Sequence, residues 1–424
     1  MKRPASRRTR RAVLKNAMAA GAGAVLAPAA WCWAEPKKAK VARIDVFPVM
    51  YPMVGRFKFF EDPKGRWTGR PAVLVKITAD DGTFGWGQSV PVPSWSYETL
   101  ESTTSTIRDY LAPGLIGRDP FDIAGAHQVM DKVIRPAFST GMPIAKAGVD
   151  IALHDLACKL SDQTLGQKWS RKPVRELTLS WTLNPRKLSD VDKLIDEGRK
   201  RGYGHFNVKV APDARFDLEL CRRVKKRAGG GFLWADANGG YDLATALAVA
   251  PKLADAGVDV LESPLKPNRI AGYRRLKRQG ALPIYMDEGV VSPAELMEFI
   301  RLDMLDGVAM KPARCGGLLS NKRQIEIVLD AGLGWLGSGL CDPDVALAAA
   351  VALYGAFGYT KPAALNGPQF MTATVLKNPL VPKDGKLAVR AEAGLGVEVD
   401  AKKLGSLLVR KLMKRQGVEL EIRL

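Results

Sequence analysis

From residue 176 onward, apolar runs of four to seven residues alternate with stretches that carry an apolar position every three or four residues. Short apolar runs bounded by Gly, Pro, Asn or Asp read as strands, and the longer periodic stretches between them read as helices. A βαβα order of this kind predicts a parallel sheet. Strands are expected at 177–183, 205–210, 233–236, 258–262, 283–287, 307–311, 334–337 and 363–366. Eight such strands are the number that closes a barrel.

The pattern before residue 160 is different. Residues 41–50 and 72–78 read as strands, Asp81-Gly82 as a hairpin turn, and Phe84-Gly85-Trp86-Gly87 as the returning strand. Between the first two lies 51–70, an aromatic and charged segment without period, and long loops in compact domains often serve as lids. Helical spacing marks 98–111, 120–134 and 143–160, the last with apolar Ile144, Ala147, Ile151 and Leu156. The expected organisation is an α+β capping domain over 35–160, a barrel over 161–386, and a segment 387–424 that returns to the first domain. Trp67, Trp95 and Tyr97 are candidates to cap a pocket between the two domains.

One charged residue ends most of the later strands. Lys209, Asp236, Glu262, Asp287 and Lys311 are separated by 27, 26, 25 and 24 residues, and Asp342 follows in the loop after the seventh strand. Residues at the carboxyl ends of barrel strands converge on one mouth, where such folds place their chemistry. Asp236, Glu262 and Asp287 fall on three neighbouring strands, and three buried carboxylates repel unless a cation joins them. Hard oxygen donors favour Mg2+, with Mn2+ next. Lys209 and Lys311 are four strands apart, half a turn of an eight-stranded barrel, so they face each other across that mouth. Two bases on opposite faces can take a proton from one side of a carbon and return one to the other.

These residues sit in motifs that resemble the enolase superfamily, and within it the mandelate racemase/muconate lactonising enzyme family, muconate lactonising branch. The motifs are Val208-Lys209-Val210, Asp236-Ala237-Asn238-Gly239-Gly240, Leu261-Glu262-Ser263-Pro264, Met286-Asp287-Glu288 and Lys311-Pro312-Ala313-Arg314-Cys315-Gly316-Gly317. The resemblance implies a modified TIM (β/α)7β barrel under an N-terminal α+β capping domain. It also implies a Mg2+-dependent enzyme that takes the proton α to a carboxylate through an enediolate, giving racemisation or epimerisation, dehydration or cycloisomerisation of a small acid. Lys209 and Lys311 are then the acid/base pair, and Asp236, Glu262 and Asp287 the metal ligands, with Glu288 the alternative third ligand.

Several positions depart from the family pattern. Asn207 stands where a first lysine of Lys-x-Lys is usual, which removes one cation that would help hold a substrate carboxylate. The three histidines, His127, His154 and His205, are absent from the seventh strand, which disfavours a mandelate racemase-type base. Ala364-Leu365-Asn366 replaces the Asp-x-Asp of dipeptide epimerases. Asn207, Asn238, Asp342 and Asn366 are left as candidate substrate-binding residues. A metal-containing binding protein with little turnover is the alternative.

The first 34 residues change the picture of location. Thr9-Arg10-Arg11-Ala12-Val13-Leu14-Lys15 followed by an Ala/Gly-rich apolar run resembles a twin-arginine export signal, which makes the mature protein exported or periplasmic. The run is too short for a stable membrane insertion. Removing residues 1–34 takes away seven Lys/Arg and leaves 57 basic against 44 acidic residues, a net charge of +13. Those charges are dispersed without an aromatic–basic stripe, so no nucleic acid is expected; a small anionic substrate and a homo-oligomer are. The remaining cysteines, Cys158, Cys221, Cys315 and Cys341, show no CxxC spacing, so neither a disulfide framework nor a cysteine zinc site is expected.

Overall fold

Strands β1 (Val41–Tyr51), β2 (Arg70–Ala79) and β3 (Phe84–Ser89) form an antiparallel meander in the order β1-β2-β3. The structure, a computed structural model, describes residues 38–61, 69–137 and 139–414. The export motif at Arg10-Arg11, Trp67 and the last ten residues lie outside the described residues. The predicted hairpin is present: Gly82 turns at φ +84°, and Thr83 N–H donates to Asp81 Oδ1 at 2.9 Å.

The helix Pro143–Leu160 lies across this sheet, and the sequence period understates its burial. Lys146, Asp150, His154 and Asp155 are buried along with its apolar residues, because the helix is enclosed by the sheet on one side and barrel elements on the other. A Cβ on Gly87 would meet Gly148 O at 1.9 Å, so glycine is what permits the sheet and helix backbones to approach this closely. The helix expected at 98–111 is continuous but irregular, with α turns at Leu100–Ser105 and Ala112–Leu115 flanking a π turn at Thr106–Leu111.

The second sheet is parallel and contains β5 (Trp181–Leu183), β6 (Phe206–Lys209), β7 (Leu233–Asp236), β8 (Val260–Glu262), β9 (Ile284–Met286), β10 (Gly307–Met310) and β11 (Gly334–Gly337), in sequence order. Two of the eight expected strands differ. The run 177–183 splits into β4 (Glu176–Thr178) and β5, because β4 leaves the barrel to pair with β12 (Lys386–Ala388). The run 363–366 is reduced to two bridges, Leu179 with Ala363 and Ser338 with Ala364, and these close the sheet on itself. The result is a modified TIM barrel of the (β/α)7β kind.

Inward-pointing residues alternate along these strands in two layers. The lower layer, with Trp234, Val260, Tyr285, Ala309, Leu336 and Ala364, is an apolar plug. Gly307 and Gly334 make room for Tyr285 across it, since a Cβ on Gly334 would meet Tyr285 Oη at 1.8 Å. Two residues further along each strand the upper layer is polar, and it holds the charged residues singled out in the sequence.

The C-terminal segment runs back to the first sheet, where Val409 N–H donates to Pro48 O at 2.9 Å. Buried Arg70 ties β2 to the barrel: its guanidinium donates to Cys341 O at 3.1 Å, Pro91 O at 2.9 Å, Val90 O at 3.1 Å and Pro71 O at 2.7 Å. Among the described residues no helix is long and apolar enough to cross a membrane, and all four cysteines are free and buried.

Candidate active site

Lys209, Asp236 and Glu262 are the last residues of β6, β7 and β8 and lie in direct register, Lys209 beside Asp236 and Asp236 beside Glu262. Asp287 and Lys311 follow one residue after β9 and β10. The cadence of 24 to 27 residues therefore does place five side chains on one rim. All are buried or nearly so, above the apolar plug.

The lysines are held on opposite sides by different carboxylates. Lys209 Nζ donates to Asp236 Oδ2 at 2.5 Å. Lys311 Nζ pairs with Asp287 Oδ2, and Arg314 pairs with Asp287 Oδ1. Asp287 is thus engaged by two cations, and among the described residues no group of three or more His, Cys, Asp and Glu is gathered that could hold a metal ion without a shift of side chains. The physical reason is charge: a buried carboxylate takes the nearest ammonium or guanidinium group.

Asp236 and Glu262 are in a different state. Burial works to raise the Asp236 carboxyl, but the ammonium groups of Lys209, Lys311 and Lys58 outweigh it and hold it low. Burial and the neighbouring charge of Asp236 push the Glu262 carboxyl up to about 8, against the pull of Lys311 and Lys209. Trp234 Nε1 donates to Glu262 Oε2, whereas Glu262 Oε1 is buried without a hydrogen-bond partner among the described residues. The donor chemistry thus fits a hard divalent cation at Asp236 and Glu262, where it would offset the repulsion and occupy the open oxygen. Asp287 could join only by loosening its hold on Lys311 and Arg314.

The asparagines and Asp342 have distinct surroundings. Asn238, at φ +46°, is spent on the rim itself: its Nδ2 bridges Asp236 Oδ2 at 3.0 Å and Glu288 Oε1 at 3.1 Å. Asn366 Nδ2 donates to Thr182 Oγ1 at 3.1 Å and leaves Oδ1 open. Asn207, two residues before Lys209 on the same inward face, is 1% exposed, and neither of its amide atoms has a partner among the described residues. Among the described residues Asp342 is buried and makes no ion pair with a lysine. Its Oδ1 accepts from Leu340 N–H at 3.0 Å, and it lines a cavity of about 480 Å3 with Trp181, Tyr203 and Gln369.

The capping segments cover the mouth. A cavity of about 360 Å3 is lined by Phe59, Trp95 and Tyr97 from the cap and by Asn238, Glu288 and Arg314 from the barrel. Trp95 Nε1 donates to Glu288 Oε1 at 2.9 Å, and Lys311 Nζ lies 5.0 Å from the Trp95 ring centroid. Three contributors escaped the sequence reading. Trp234 could have been found by counting two residues back from Asp236 along the inward face. Arg314 lies in a quoted motif but carries no strand-end signal, and Lys58 sits in a segment without period.

The comparisons with known proteins agree with this architecture. The enolase C-terminal domain-like family model matches residues 190–403, and that of the mandelate racemase/muconate lactonizing enzyme N-terminal domain matches 65–167. Chloromuconate cycloisomerase CbnB of Cupriavidus necator is 30% identical over 338 residues, 78% of this chain and 90% of that protein. An N-succinyl-L-Arg/Lys racemase of Bacillus cereus is 28% identical over 284 residues, 66% of this chain and 74% of that protein. Muconate lactonizing enzyme from Pseudomonas fluorescens, solved with muconolactone, superposes with a TM-score of 0.80 at 25% identity, covering 88% of this chain and 100% of that one. The chain belongs to the mandelate racemase/muconate lactonizing enzyme family of the enolase superfamily.

Proposed function

We propose that the protein is a divalent-metal-dependent isomerase that moves the proton α to a carboxylate. The single observation that supports this most is the placement of Lys209 and Lys311 on opposite sides of one covered mouth, each beside a buried carboxylate. One lysine removes the α-proton and the other stands where a proton can be returned to the opposite face. Asp236 and Glu262, with Asp287 after a shift, would hold Mg2+ or Mn2+. When bound, that cation supplies the positive charge that steadies an enediolate. Trp95 and Phe59 cover the site from above, and Asn207 and Asn366 offer open polar atoms to the substrate.

The relatives include cycloisomerases and a racemase, so cycloisomerisation and racemisation or epimerisation rank before dehydration. The test is deuterium uptake at the α-carbon, in D2O with Mg2+, of muconolactone, N-succinyl-L-arginine and a set of hydroxy and sugar acids. Uptake into at least one supports the enzyme reading. The second reading, a binding protein without turnover, draws on Asn207 in place of a cation and on Asp287 being engaged by Lys311 and Arg314. It predicts binding without uptake.

Export belongs to the same proposal, on the strength of Arg10-Arg11 and the apolar run behind them. Changing Arg10→Lys together with Arg11→Lys should leave the precursor inside the cytoplasm on fractionation; normal export of the double variant would contradict it.

A further inference from the structure

The proposed chemistry leaves unused a buried carboxylate and two histidines of the capping domain. Asp150 lies on the helix Pro143–Leu160 and is fully buried. Its Oδ1 accepts from Leu318 N–H, and its Oδ2 lies 3.4 Å from Leu319 N. Those two amides begin the barrel helix Leu318–Asp330, whose own N-cap residue is Gly317 and offers no side chain. The first amides of a helix have no partner within it, so Asp150 caps this helix from another element. A Cβ on Gly317 would meet Asp150 Oδ1 at 2.2 Å, and Gly317 sits at φ +103°, so glycine serves both the turn and the close approach.

Two histidines hold the carboxylate in place. His127, on the helix Ile123–Val133, donates from Nε2 to Asp150 Oδ2 at 2.7 Å, and His154 Nδ1 lies 3.3 Å from Asp150 Oδ1. Burial works to raise the Asp150 carboxyl, but the charge of His154 and the hydrogen bond from His127 outweigh it and hold it below the usual carboxylate range. One carboxylate therefore joins two helices of the cap to one helix of the barrel.

The capped helix follows directly on Lys311. The ladder of β10 stops at Met310, one residue short of it. Residues 311–318 are all buried and fold as one tight turn. Arg314 N–H donates to Lys311 O at 3.0 Å, Cys315 Sγ to the same oxygen at 3.1 Å, and Gly317 N–H to Pro312 O at 3.0 Å. A shift of Leu318 is passed through these few bonds to the Lys311 backbone.

We infer that Asp150 is a positioning residue: by capping Leu318–Asp330 it fixes the turn that carries Lys311, and so sets where the Lys311 ammonium stands. His127 is its support, because it fixes the direction of the carboxylate. This deepens the proposed function and rests on it.

The experiment uses the full-length protein with Mg2+ and follows deuterium uptake at the α-carbon of each enantiomer of the acid probe that the parent exchanges, with Lys311→Ala as reference. Asp150→Ala should lower kcat about a hundredfold for the enantiomer whose exchange Lys311→Ala abolishes, the scale of a misplacement of about 1 Å, with KM nearly unchanged. Exchange of the mirror image, served by Lys209, should stay near the parent rate. Asp150→Asn keeps an oxygen for Leu318 N–H and should recover most of the loss. His127→Ala should show a smaller loss for the same enantiomer. Parent-like exchange in Asp150→Ala, or equal loss for both enantiomers, would overturn the proposal, since the second result means general damage. Where Asp150→Ala does not fold, His127→Ala decides alone, and parent-like or unselective exchange in it overturns the proposal. Failure of the enzyme reading is distinguishable, because the parent then takes up deuterium into none of the probes, and the role of Asp150 falls with it.

Discussion

Glu262 is the residue on which the chemistry of the mouth turns, because it is fully buried beside Asp236 and keeps one oxygen open. A neutral amide at that position would remove the charge without changing the shape. Glu262→Gln is therefore expected to abolish stoichiometric Mg2+ or Mn2+ binding by calorimetry, while the melting temperature of the metal-free protein stays the same or rises. Retained stoichiometric binding would remove Glu262 from the ligand set. Much of this site was legible because five successive strand ends, β6 to β10, each bear one charged residue and the βα units between them have nearly the same length, which keeps the register constant. Side-chain direction was not legible. Asp287 has the right position for a third ligand, yet Lys311 and Arg314 compete for its two oxygens, and no spacing rule reports such a competition.

At the scale of elements, the helix Pro143–Leu160 depends on a carboxylate from the preceding segment. Glu98 is buried and accepts from Ile144 N–H at 2.7 Å and Ala145 N–H at 2.8 Å, so it caps the helix N-terminus from outside the helix. Burial pushes its carboxyl up to about 7 from 4.5, against those two hydrogen bonds and the charge of Lys146. The folded protein then holds a proton that the unfolded chain has already released, so stability contributed by Glu98 is lost as pH rises from about 4.5 to about 7. The expected loss is on the order of 3 kcal/mol at most. Urea denaturation at pH 5 and pH 8 should show it for the parent, and Glu98→Gln should flatten the difference.

The hairpin at Asp81-Gly82 and the helix at 143–160 were readable from turn chemistry and period. The eighth strand was overcalled, since Ala363 and Ala364 alone complete the barrel closure and the chain then turns at Asn366. The split of 177–183 was also hidden, because leaving the barrel at β4 is dictated by a partner two hundred residues away in sequence, β12.

For the whole molecule, Arg70 is a sensitive joint between cap and barrel. It is fully buried and satisfies four carbonyl oxygens, one of them from Cys341 next to Asp342. Arg70→Met should destabilise the protein by roughly 2–5 kcal/mol, because the carbonyls are left dry and unpaired. Arg70→Lys should recover little, since one ammonium cannot span that fork. Chemical denaturation with two probes, one in each sheet, checks both points. If Arg70→Met matches the parent, the joint is not structural.

The central claim is that Lys209 and Lys311 act from opposite faces of one α-carbon, and deuterium exchange in single variants tests it most directly. Each of Lys209→Ala and Lys311→Ala should stop net turnover yet still exchange the α-proton of one enantiomer of the acid substrate in D2O. The two variants should prefer opposite enantiomers, because each keeps the lysine on one face only. If only one variant loses exchange, a single base is at work and the reaction is not a two-base racemisation. If both variants exchange like the parent, neither lysine is catalytic and the account is contradicted.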